Sequence, residues 1–74
     1  MKKITIIRDG RKETWNLIEN LKDLEIYHRS ISKAMADIAK PYQTKALERG
    51  EKILANDAGG YNFLLSTDKI VKIK

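Results

Sequence analysis

The chain has no cysteine, one proline, one histidine and five aromatic residues in 74 positions. Without cysteine there is no disulfide framework and no thiolate-held metal, which fits a reducing, cytoplasmic setting. With His28 alone, any further metal ligand would have to be a carboxylate, and neither an HExxH nor an EF-hand pattern is present, so no metal or cofactor is expected. Ser30 and Ser32 lie near His28 but do not offer the convergent geometry of a nucleophile and its base. Residues 57–60 (Asp-Ala-Gly-Gly) lack the Gly-Lys-Ser/Thr ending of a phosphate loop and read as a turn. Long apolar runs are missing too. The stretch 4–7, interrupted by Thr5, falls short of the roughly 7–15 residues of a signal core. A chain of this length buries roughly 60% of its unfolded surface, enough for one modest core. One domain spanning 1–74, with no enzymatic activity, is the expectation.

What the chain does have is positive charge. Fifteen Lys and Arg against ten Asp and Glu give +5, and Lys outnumbers Arg eleven to four. The excess lies in residues 1–14 (five basic, two acidic) and 26–52 (six basic, three acidic), with the net-acidic 15–25 between them. Such a balance favours polyanionic partners, because each neutralised phosphate releases counterions.

Residues 2–8 are β-branched and roughly alternating, a strand pattern, and Asp9-Gly10 favours a two-residue hairpin turn. If the turn forms, 11–15 is the return strand; otherwise a helix starts near Glu13. Asn16 and Glu19 have the spacing of a capping box. Leu17, Leu21, Leu24, His28, Ile31, Met35 and Ile38 then recur at alternating spacings of four and three. That stripe predicts helices over 17–25 and 30–39, or one continuous helix, with His28 as a half-buried core residue. Pro41 is expected to stop the second helix, and a third covers 43–55, with Gly50 at a close-packing point on its inner side. Tyr61 to Leu65 and Ile70 to Lys74 read as two strands of a C-terminal hairpin. The expected fold is α+β: an N-terminal strand or hairpin, three helices and a C-terminal hairpin, in winged-helix-like order.

Two functional classes fit. In the first, the chain is a small accessory or regulatory nucleic-acid-binding protein, with helix 43–55 reading duplex DNA from a helix–turn–helix-like outline. Lys45, Arg49 and Lys52 then lie on phosphates, flanked by Arg29, Lys33 and Lys40. Lys69, Lys72 and Lys74 stand on the wing, Tyr42 and Tyr61 are available to stack, and Arg8, Arg11 and Lys12 extend the patch. In the second, the chain is a protein-binding module, an inhibitor or modulator that occupies the surface or DNA groove of a larger nucleic-acid-handling enzyme. Its candidate anchors are Trp15, Tyr27, Tyr42, Tyr61 and Phe63. Neither class calls for a membrane or a small-molecule substrate.

Overall fold

The structure, a computed structural model, describes residues 1–74. Asp9 and Gly10 both adopt positive φ (52° and 76°), the geometry of a tight hairpin turn, and join β1 (Lys2–Arg8) to β2 (Arg11–Ile18). β2 runs three residues beyond the expected Trp15, so Asn16 is not a helix cap. It is a buried strand residue whose Nδ2 donates to Asp57 Oδ1 at 2.9 Å. The cap lies four residues later. Asn20 Oδ1 accepts from Asp23 N at 2.9 Å and opens α1 (Leu21–Arg29). Ser32 accepts from Met35 N at 3.2 Å and opens α2 (Lys33–Glu48).

There are two helices, not three, because α2 continues through Pro41. The proline removes one intrahelical hydrogen bond and crowds the turn before it, a cost of about 3 kcal/mol. Burial of Ala36, Ala39, Gln43 and Ala46 along one unbroken side of α2 offsets that cost, because tertiary packing outweighs local propensity. The helix ends seven residues later, at Glu48, with Arg49 as its C-cap and Gly50 beyond. With φ of +83°, Gly50 donates to Leu47 O while Glu51 donates to Ala46 O, the paired bonds of a Schellman turn. A Cβ at Gly50 would meet nothing within 4 Å, so its backbone angle, and not close packing, requires glycine. The end of the expected third helix is instead β3 (Ile53–Ala55), fully buried. The turn at 56–60 does form; it joins β3 to β4 (Tyr61–Phe63).

β4 and β5 (Lys69–Ile73) do not form the expected hairpin. The antiparallel sheet has the order β4-β3-β2-β1-β5, which puts them on opposite edges, and the winged-helix order does not occur. β1 pairs antiparallel with β5. Cross-strand partners share a face. On one face Ile18, Ile53 and Ala55 pack with Leu24 and Tyr27 of α1, with Tyr61 and Phe63 half-buried against them. On the other, Ile4, Ile6, Leu17 and Leu54 pack beneath Trp15 and Leu64. Residues 64–68 carry the chain from one edge to the other across this second face. Arg8 pins them: its guanidinium donates to both Asp68 carboxylate oxygens (2.8 and 2.6 Å), to Asn62 Oδ1 and to Phe63 O. No helix is long and apolar enough to cross a membrane.

Candidate nucleic-acid interface

The basic residues assigned to one recognition helix are dispersed. Within 43–55 only Lys45 lies on α2; Arg49 is its C-cap and ion-pairs with Glu51 at 2.7 Å, and Lys52 lies beyond the helix, 3.8 Å from Glu19. Arg29 is paired with Glu25 at 3.0 Å. Lys33 and Lys40 border a groove between α1 and α2 that also holds Glu25 and Asp37, so that groove has mixed charge. Tyr42 is 65% exposed on α2, whereas Tyr61 leans on the core and on Phe63, with ring centroids 5.9 Å apart. Tyr27 belongs to the core, with its hydroxyl donating to Asn56 O, and burial raises its pKa. Arg8, expected to extend the patch, is taken up by Asp68. His28 is half-buried and bonded to Gln43 Oε1 at 2.7 Å. No group of three His, Cys, Asp or Glu side chains is placed to hold a metal ion.

The structure does bring together another set of lysines. The helices cover their face of the sheet only over β2, β3 and β4; the β2-β1-β5 side of that face is open. Register lays three rows of side chains across it: Lys69, Ile7 and Lys12; Lys72, Thr5 and Thr14; Lys74, Lys3 and Asn16. Lys3, Lys12, Lys72 and Lys74, with the two threonines and Val71, line a shallow depression of about 440 Å³. Thr5 is only 6% exposed, and its hydroxyl meets that of Thr14 at 3.0 Å at the floor. None of these five lysines makes an ion pair, whereas Lys2, Arg8, Arg29, Arg49 and Lys52 all do. The acid bordering the face, Asp57, receives the amide of Asn16.

A single extra residue aligns this set. Thr5 and Ile6, consecutive on β1, face Lys72 and Ile70, so Val71 is an extra residue in β5 and forms a bulge. In a regular strand, Lys69 and Lys72 would point to opposite faces. Past the bulge, Lys72 and Lys74 join Lys69 on the open face and Ile73 turns to the other. Sequence reasoning placed Lys69, Lys72 and Lys74 together on a wing but missed Lys3. The available signal was alternation within 2–8, which puts Lys3 and Thr5 on the face opposite Ile4 and Ile6. Compared with protein-family models, curated proteins and solved structures, the chain shows no significant match.

Proposed function

We propose that this protein binds nucleic acid through the open sheet face, with Lys3, Lys12, Lys69, Lys72 and Lys74 on phosphates. The observation that supports this reading is the gathering of five ammonium groups, none paired with an acid, on one uncovered surface. The chemistry of the face bears on what it would read. Lysine is a point charge and lacks the fork with which arginine grips guanine, and no aromatic ring on this face offers a stacking platform. The contacts are therefore to backbone, and duplex DNA bound without sequence preference is the fitting substrate. Each strand step lifts the next side chain of the face by about 6.6 Å, so the rows present charge as a grid and not as a line.

The test is a titration of labelled duplex across salt concentrations. Five neutralised phosphates predict a log–log slope of about −4.5, and replacing Lys72 and Lys74 by Gln should flatten it by about two units. Replacing Arg49 and Lys52 by Ala should leave the slope unchanged. If the Arg49 and Lys52 substitutions weaken binding and the Lys72 and Lys74 substitutions do not, the sheet-face assignment is wrong.

A further inference from the structure

Met35 and Ile38, which continue the apolar stripe of the sequence, lie outside the core. Ile38 is 70% exposed, Tyr42 65% and Met35 42%. The buried side of α2 is Ala36, Ala39, Gln43 and Ala46. At 3.6 residues per turn, the opposite side consists of Ala34, Asp37, Ile38, Pro41, Lys45 and Glu48, all exposed. Its middle is apolar, formed by Ile38 and the ring of Pro41 and flanked by Tyr42, with the small residue Ala34 at the helix start. The charges are arranged about Pro41. Asp37 stands four residues before it and Lys45 four residues after, and neither has an ion-pair partner within the chain.

We propose that this face of α2 docks against the same face of a second copy, antiparallel, with the two-fold axis at Pro41. That axis sets each Asp37 opposite the partner's Lys45 and packs Ile38 and Tyr42 of the two copies in the middle. An isologous contact requires such self-complementarity, and the acid and base placed symmetrically about an uncharged centre supply it. A parallel pairing would set Asp37 against Asp37. The helix is about 24 Å long, so the contact is smaller than the roughly 800 Å² per partner of a standard interface and is accordingly weak. It shares no residue with the lysine face and does not depend on nucleic acid.

Sedimentation of the full chain without nucleic acid, from about 10 µM to about 1 mM, should show a reversible monomer–dimer equilibrium. Ile38→Glu, at a site already exposed, should leave the circular dichroism unchanged and abolish the dimer. Asp37→Lys and Lys45→Asp should each weaken it at least fivefold, and the two together should restore it. A chain that stays monomeric throughout overturns the proposal. So does a dimer that survives Ile38→Glu, or one that the double exchange fails to recover.

Discussion

At the scale of single residues, the ion pair between Arg8 and Asp68 is the strongest electrostatic feature of the molecule. The Asp68 side chain is 1% exposed, and the Arg8 guanidinium, with Leu65 N, holds its pKa down to about 2 from the ordinary 3.8. A depressed carboxylate stabilises the fold when ionised. That contribution is therefore complete above the ordinary value and is lost as the pH falls from there through about 2. Melting temperatures of the wild type and Asp68→Asn should differ at pH 6 and converge as the pH drops from 4 towards 2. A gap that stays constant over that range would sink this account. Arg8→Ala leaves the Asp68 carboxylate without its partner in a half-buried site and should cost about 1–3 kcal/mol in urea unfolding. Gly50→Ala forces an L side chain to φ of +83° and should cost about 1–2 kcal/mol, although the space around it is empty. The sequence shows Arg8 and Asp68 only as two charges 60 positions apart. Nothing local links them, so the pair was not legible there.

At the scale of elements, the hairpin turn was read correctly, whereas the capping box at Asn16, the stop at Pro41 and the phase of the helical stripe were not. Asp9-Gly10 announced its turn, because positive φ at both positions is a property of that dipeptide. The stripe from Leu17 to Ile38 misled in its second half, because the chain turns at residues 30–32 and the buried side of α2 lies one position on. Leu24 is buried, His28 is half-buried as expected and Ile31 packs on the core, but Ala36 and Ala39 are buried in place of Met35 and Ile38. Small alanines let α2 lie close, and a rule that ranks residues by bulk overlooks them. Pro41 misled for the opposite reason: a true local cost was outweighed by packing. Pro41→Ala should therefore stabilise the chain, by up to about 3 kcal/mol, read as a rise in melting temperature. An unchanged or lower melting temperature would show that α2 bears no such strain. The register set at Val71 offers a test of the lysine face that leaves net charge alone. Exchanging Lys72 and Ile73 moves one lysine to the apolar face, and the slope of duplex binding against salt should flatten by about one unit. Unaltered binding by a folded exchange variant would mean that the alignment of lysines does not matter. The positive charge was legible in composition, whereas its gathering depends on a register shift that no window of the sequence displays.

At the scale of the whole molecule, the two sheet edges are guarded differently. β4 is only three residues long, and β5 carries lysines and a bulge, two ordinary means of discouraging edge-to-edge aggregation. The topology brings the last strand beside the first by way of a strap across the second face, so the lysine surface draws on the two ends of the chain. All five residues of β5 are exposed, and the strand is held by β1 and by the Arg8 clasp at its entrance. Two of the five lysines ride on it, and a third, Lys74, follows directly. If the face captures a polyanion as proposed, docking of this strand and that capture are one linked equilibrium: whatever binds the completed surface also holds the C-terminal segment shut. Amide exchange in β5 should slow when duplex is present, whereas the amides of α2 stay as they were. The tail of this molecule would then act as its latch.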